Sequence, residues 1–143
     1  MQKIQFYFLD RKPTLKERTR LKLFIEKLFK TEKKRLSSLS YIFCSDKYLL
    51  GINKNFLRHD YYTDVITFDL SSSNDKIEGE IYLSVDRIKD NAKIEGVSFK
   101  EELHRIVFHG ALHLCGYRDK KTNEISEMRK KENDYLMKYQ TKY

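Results

Sequence analysis

Residues 98–114 combine a helix-start signal with apolar residues on nearly every side of the predicted helix, and they constrain the fold more than any other part of the chain. Ser98 and Glu101 have the spacing of a capping box, so the sequence predicts a helix that begins there. The interior positions of this helix are apolar nearly all the way round: Leu103, Ile106, Val107, Phe108, Ala111, Leu112 and Leu114. Because a helix that is apolar on all sides is a buried helix, we expect it to lie at the centre of the fold.

Two histidines, His109 and His113, lie on this helix. Residues four apart are about 40° apart around a helix and one turn above each other, so both imidazoles can reach one point. Gly116 stands where the helix should end, and the chain can then turn back and bring Asp119 to the same point. Two His and one carboxylate leave room for water on a metal ion, as a catalytic site requires. The alternative is a pair of polar residues on a half-exposed helix.

The rest of the chain predicts four strands and four more helices. Strands are expected where β-branched and aromatic residues cluster, at residues 3–8, 40–44, 65–68 and 80–83. Helices are expected at residues 13–31, 45–57, 84–94 and 122–139. The order βαβαββααα predicts an α+β fold, a small mixed sheet of about four strands packed with about five helices, with the metal site on the central helix. The pattern does not determine which strands pair, and it gives no reason to divide residues 1–143 into more than one domain.

Three of these helices have an apolar side that we expect to face the core. In the first helix this side consists of Leu21, Phe24, Ile25, Leu28 and Phe29. In the second it consists of Leu49, Leu50, Ile52 and Phe56. In the last it consists of Ile125, Met128, Tyr135, Leu136 and Tyr139.

Positive charge is concentrated in one segment. Residues 11–35 contain eleven Lys or Arg and three Glu, a net charge of +8, while the rest of the chain has eighteen basic and eighteen acidic residues. A single basic segment is typical of a surface that binds a nucleic-acid backbone or an acidic partner. The alternative is a solvated helix face.

Cys44 and Cys115 form neither a disulfide framework nor a Cys-x-x-Cys pattern, so we expect both to be buried small residues in a reducing cytoplasm. No apolar run approaches the length of a membrane span, and residues 1–8 alternate like a strand, unlike a signal peptide. The expectation is a cytoplasmic protein without a membrane partner.

The residue after His109 bears on the type of chemistry. Zinc hydrolases with two His at this spacing often have Glu directly after the first His as the general base, but here the residue is Gly110. This substitution argues against a peptidase and suggests that Gly110 gives the backbone room for close packing or ligand approach.

Phosphodiester cleavage also needs a cation for charge that develops on the phosphoryl oxygens. Arg58 is the best candidate outside the basic segment, and its alternative is a surface ion pair with Asp60 or Asp64.

With these residues in view, the chain resembles the YbeY family of metal-dependent endoribonucleases linked to ribosomal RNA maturation. The family's His-Gly-x-Leu-His-Leu-x-Gly-Tyr-Asp-His signature is matched over residues 109–117, its Thr-Asp-Val-Leu-Ser-Phe stretch resembles residues 63–68, and its Gly-Asp-Ile resembles residues 79–81. Arg58 stands at the position of an upstream arginine of the family. The match departs from the signature at Arg118 and Asp119, where the family has Asp and His.

The resemblance implies that His109 and His113 bind Zn²⁺, that Arg58 acts at the RNA phosphate, and that the chain is a single-domain cytoplasmic protein. It implies that single-stranded RNA is the substrate, in 16S ribosomal RNA maturation and ribosome quality control, with the small ribosomal subunit as partner and no role for DNA. Asp119 replaces the family's third imidazole by a carboxylate, and two His with one carboxylate also suit Fe(II) or Mn(II). The sequence leaves two alternatives to the endoribonuclease: a non-catalytic RNA-binding assembly factor with a structural metal, and a metallopeptidase.

Overall fold

The computed structural model describes residues 2–59 and 61–141, which contain the predicted nine elements in the predicted order. In chain order they are β1 (Ile4–Phe8), α1 (Arg18–Thr31), β2 (Leu36–Cys44), α2 (Asp46–Phe56), β3 (Val65–Asp69), β4 (Ile77–Ser84), α3 (Val85–Glu95), α4 (Phe99–Leu114) and α5 (Thr122–Gln140). The α+β class and the mixed sheet are therefore confirmed. No helix in the described ranges is long and apolar enough to cross a membrane.

The sheet has the strand order β1-β2-β4-β3. β1, β2 and β4 are mutually parallel, and β3 runs antiparallel to β4, with Val65 opposite Leu83. Because of this reversal, the chain that enters β3 lies beside the carboxyl end of β4, where the Ser84 backbone N–H donates to the carbonyl of Asp64 at 2.9 Å. The loop between α2 and β3 therefore lies at the end of the sheet where α3 begins.

The main core contains residues from nearly the whole sequence, from Ile4 in β1 to Tyr139 in α5. α4 supplies more residues to it than any other described helix, which confirms the prediction of a central buried helix. The Tyr41 hydroxyl of β2 donates to the carbonyl of Val107 in α4 at 2.9 Å, so a strand and the helix are linked by a buried hydrogen bond. α2 covers a separate, smaller core with Cys44, Leu49, Ile52 and Ile66.

Three sequence predictions about the helices are wrong in detail. α1 begins at Arg18, not at Pro13, because residues 13–17 bury alternate side chains as an extended segment does, and Glu17 has a left-handed backbone (φ 55°). Phe56 was expected in the core but is 72% exposed, since the last buried residue of α2 is Asn53. Ile125 is 52% exposed because the first buried residue of α5 is Met128, almost one turn later.

The packing of α4 on the sheet predicts that Gly110→Ala destabilises the protein. A Cβ at residue 110 would lie 2.9 Å from both Cδ1 and Cγ2 of Ile81, and Cγ2 is fixed close to the strand backbone. Such overpacking costs about 1–3 kcal/mol, against about 1 kcal/mol gained because Ala favours a helix more than Gly.

Gly51 in α2 is the matched control, because nothing lies within 4 Å of an added Cβ there. Gly51→Ala should therefore raise the Tm and Gly110→Ala should lower it, as measured by thermal unfolding followed by circular dichroism. A Gly110→Ala protein with a Tm at or above that of the wild type would contradict the close packing.

Candidate metal centre

Three side chains from the end of α4 and the following turn converge on one point. His109 and His113 lie one helical turn apart, with ring centroids 4.5 Å apart. Gly116, with φ 108°, takes a left-handed conformation that glycine adopts without strain, and the chain reverses there. Asp119 Oδ2 then lies 3.3 Å from Nε2 of His109 and 3.2 Å from Nε2 of His113. The predicted convergence of the triad is confirmed, and the three residues could hold a metal ion.

Nδ1 of each imidazole, the ring nitrogen that does not face Asp119, has its own hydrogen-bond partner. His109 Nδ1 lies 2.6 Å from the Glu132 carboxylate, and His113 Nδ1 lies 2.9 Å from the carbonyl of Tyr117. When Nδ1 carries the proton and donates to these oxygens, the Nε2 lone pairs face Asp119. Two imidazole nitrogens and one carboxylate oxygen, oriented in this way, fit a divalent ion such as zinc, iron or manganese.

Glu132, on α5, is a buried charged partner of the triad. Its side chain is 7% exposed and also contacts Arg105 at 3.3 Å and Arg129 at 3.7 Å. Burial disfavours the charged form of His109, but the hydrogen bond and negative charge of Glu132 outweigh burial and raise the pKa of His109 above its ordinary value. No motif in the sequence singles out Glu132. Its signal is the spacing, because Glu132 lies four residues after Met128 on the buried side of α5.

The triad lines a cavity of about 420 Å³. The loop between α2 and β3 contributes another part of the lining, with Leu57, His59, Tyr61, Thr63 and Asp64. Burial raises the pKa of Asp64 above its ordinary value, although the nearby His109 opposes the shift and Asn91 donates to Asp64 at 3.1 Å. From the sequence, Asp64 is expected only as part of its motif and as an alternative partner of Arg58, and its place in this cavity is not predicted.

Arg58 lies on this loop between two residues that line the cavity, but it is not itself part of the lining. Its side chain is exposed, and its backbone is left-handed, with φ 58°. Among the described residues it forms no ion pair, so the alternative pairing with Asp64 is not formed, and Asp60 lies outside the described residues. The structure does not bring the guanidinium to the triad, and the role of Arg58 at a phosphate stays a prediction.

His104 of α4 and Cys115 after it have structural roles, and the expected burial of Cys115 is confirmed. His104 is buried against the rings of Phe108 and Tyr139, and burial lowers its pKa to about 4. Cys115 is buried at the end of α4, and burial raises the pKa of its thiol to about 12. Neither residue belongs to the convergent metal-binding group.

The basic segment contains exposed cations as well as cations that are engaged within the fold, of which Arg20 is one. Lys16, Lys30 and Lys34 are exposed. Arg20 instead lies over the Tyr139 ring, 3.9 Å from its centroid, and donates to the Tyr139 carbonyl, so it fastens α1 to α5. The exposed lysines are available for a polyanion, whereas Arg20 is engaged within the fold.

Known proteins match this chain over most of its length. The family profile described as Endoribonuclease YbeY matches residues 8–140. A protein named Endoribonuclease YbeY from Cytophaga hutchinsonii is 49% identical over 93% of both chains, and one from Flavobacterium psychrophilum is 42% identical over 90% of this chain and 91% of its own. A solution structure of a Thermotoga maritima protein is similar with a TM-score of 0.59 and 29% identity, over 94% of this chain and 88% of the other. On this evidence the chain belongs to the YbeY endoribonuclease family.

Proposed function

We propose that the protein is a metal-dependent endoribonuclease that cleaves single-stranded RNA in ribosomal RNA processing. The observation that carries this proposal is the convergence of His109, His113 and Asp119 on the wall of an open cavity. Three protein ligands leave positions on a metal for water and substrate, whereas a structural zinc site is usually closed by four. Membership of the YbeY endoribonuclease family supports the same reaction.

The proposed resident ion is one Zn²⁺, held by His109, His113 and Asp119. When bound there, a divalent ion would act as a Lewis acid that polarises a phosphoryl oxygen, and it would lower the pKa of bound water. Glu132 orients His109 through Nδ1, and the Tyr117 carbonyl does the same for His113. Arg58 is the proposed cation that meets negative charge developing on the phosphate. Because Asp119 is an anionic oxygen ligand, Mn(II) and Fe(II) are the competing metals.

The proposed substrate region is 16S ribosomal RNA, with the small ribosomal subunit as partner in the cytoplasm. The exposed lysines of residues 11–35 support a polyanionic partner, since phosphate contacts supply most of the sequence-independent affinity for RNA. Peptide hydrolysis has no comparable support. Gly110 stands where many zinc peptidases have their glutamate base, and it packs closely against Ile81.

The proposed function predicts that cleavage depends on the metal. Purified protein incubated with a fluorescent single-stranded RNA should cut it internally, lose this activity after chelation, and regain it on addition of Zn²⁺ or Mn²⁺. His113→Ala should remove the activity and the bound metal while circular dichroism still shows the folded protein. RNA that stays intact with metal-loaded wild-type protein, yet is bound, would instead identify a non-catalytic RNA-binding factor.

A further inference from the structure

Two aromatic rings on the α2–β3 loop form a stack that the metal chemistry leaves unexplained. The rings of His59 and Tyr61 lie 5.1 Å apart between centroids, with an interplanar angle of 18°. The Tyr61 hydroxyl and His59 Nδ1 are hydrogen-bonded at 3.0 Å, which fixes the two rings relative to each other. Tyr61 is nevertheless 55% exposed. Both residues line the cavity that contains His109, His113 and Asp119.

A buried polar side chain holds this loop in place. Asn53, in the last turns of α2, is only 2% exposed. Its side-chain Nδ2 donates to the carbonyl of Tyr61 at 2.8 Å, and its backbone carbonyl accepts from the backbone N–H of His59 at 2.9 Å. One residue therefore fixes the backbone of both ring-bearing positions. Such anchoring reduces the entropy that the rings would lose on binding a ligand.

We propose that the His59–Tyr61 stack is a nucleobase subsite, where an unpaired base beside the scissile phosphate extends the stack. This inference rests on the proposed function, since it places the base of an RNA substrate in the same cavity as the metal triad. Unpaired bases expose their faces and stack on aromatic side chains, whereas bases in an A-form duplex are already stacked on their neighbours. The subsite would therefore contribute to a preference for single strands.

The chemistry of the pair suits many bases. Every base has a π-face, so stacking on tyrosine and histidine tolerates different sequences. Stacking of one base on an aromatic side chain corresponds to about a 5- to 150-fold change in affinity. In this arrangement the exposed lysines of residues 11–35 bind phosphates, and the loop binds a base face.

Tyr62 offers a matched control. It is 54% exposed, almost the same as Tyr61. Its ring lies 5.3 Å from the guanidinium carbon of Arg87, and it is not among the residues lining the metal-site cavity. A general effect of losing an exposed aromatic ring would appear at both positions, and a subsite effect only at Tyr61.

The test measures binding separately from cleavage. A short single-stranded RNA containing 2-aminopurine is titrated with protein whose metal has been removed by a chelator (the chelated protein). Fluorescence quenching then reports stacking, and the RNA is not cleaved. We expect Tyr61→Leu to weaken binding about 5- to 150-fold and to remove the quenching. Tyr61→Trp should retain both, and Tyr62→Leu should bind like the wild type. Circular dichroism confirms that each variant is folded.

A second arm uses the wild-type protein and therefore does not depend on how a variant folds. In a series of RNAs with one abasic nucleotide, one position should lower the affinity by the same factor as Tyr61→Leu, and Tyr61→Leu should be insensitive to that position. Equal affinity for all abasic RNAs, or unchanged binding by Tyr61→Leu, would overturn the subsite. Cleavage by metal-loaded wild type together with that result would leave the endoribonuclease intact. Quenching by the chelated protein, together with no cleavage by the metal-loaded wild type, would overturn the endoribonuclease and leave the subsite.

Discussion

Arg58→Ala is expected to lower kcat for single-stranded RNA by about 100- to 1,000-fold, the usual effect of removing one preorganised donor to a developing charge. KM should rise much less, because the contact is stronger in the transition state than in the bound substrate. Arginine and alanine both carry a Cβ, so the substitution does not change the strain of the left-handed backbone at residue 58. Because the side chain is also exposed, the fold and the metal content should persist. Steady-state cleavage rates measured at several RNA concentrations separate kcat from KM, and single-turnover rates report the chemical step alone.

Two variants sharpen the test of Arg58. Arg58→Lys should recover only part of the rate, since a point charge lacks the two-pronged geometry of a guanidinium. Arg118→Ala removes another exposed arginine, one residue before Asp119, and should alter mainly KM. If Arg58→Ala cleaves RNA at the wild-type rate, Arg58 is an ordinary surface residue and the catalytic cation is a different residue.

Glu132→Ala should weaken metal binding by about 10- to 100-fold, as expected when the hydrogen-bond partner of a ligating histidine is removed. The 2.6 Å contact holds His109 with Nε2 toward Asp119, and without it the ring is free to rotate. Competition with a chromophoric zinc chelator measures the affinity directly and does not depend on RNA cleavage. The visible spectrum of the cobalt-substituted protein reports the ligand geometry.

Glu132 also pairs with Arg105, so its loss is expected to lower the free energy of unfolding as well. Glu132→Gln keeps an oxygen that can accept from His109 Nδ1, and it should bind metal more tightly than Glu132→Ala. Glu127→Ala, at an exposed position of the same helix, should bind metal like the wild type. Unaltered zinc affinity in Glu132→Ala would show that Glu132 only stabilises the packing of α4 against α5.

The parts of the fold that follow a single periodicity could be predicted from the sequence. His109 and His113 lie on one helix and Gly116 lies just after its end, so their spacing determines a local geometry. The structure confirms this geometry and the approach of Asp119 to the two histidines. Contacts between distant segments could not be predicted in this way. The pairing of β2 with β4 and the reach of Glu132 to His109 across 23 residues depend on tertiary packing.

Residues 13–17 and Asp64 show two other limits of sequence reasoning. A proline followed by basic residues resembles a helix start, yet Pro13 and Leu15 are buried on alternate positions of an extended segment. Asp64 gives no periodic signal at all, because it lies in a loop. Its position in the cavity is a result of the antiparallel pairing of β3 with β4.

The reversed edge strand has an evolutionary consequence. All three metal-binding candidates lie within residues 109–119, while the cavity wall with the aromatic stack is a separate loop that joins α2 to β3. β3 is the last strand of the sheet and pairs on one side only. Mutations, insertions or exchanges in that loop can therefore accumulate without moving α4 or its histidines. Provided that Arg58 is kept, the part of the site that contacts the RNA bases can change while the metal-binding residues stay in place.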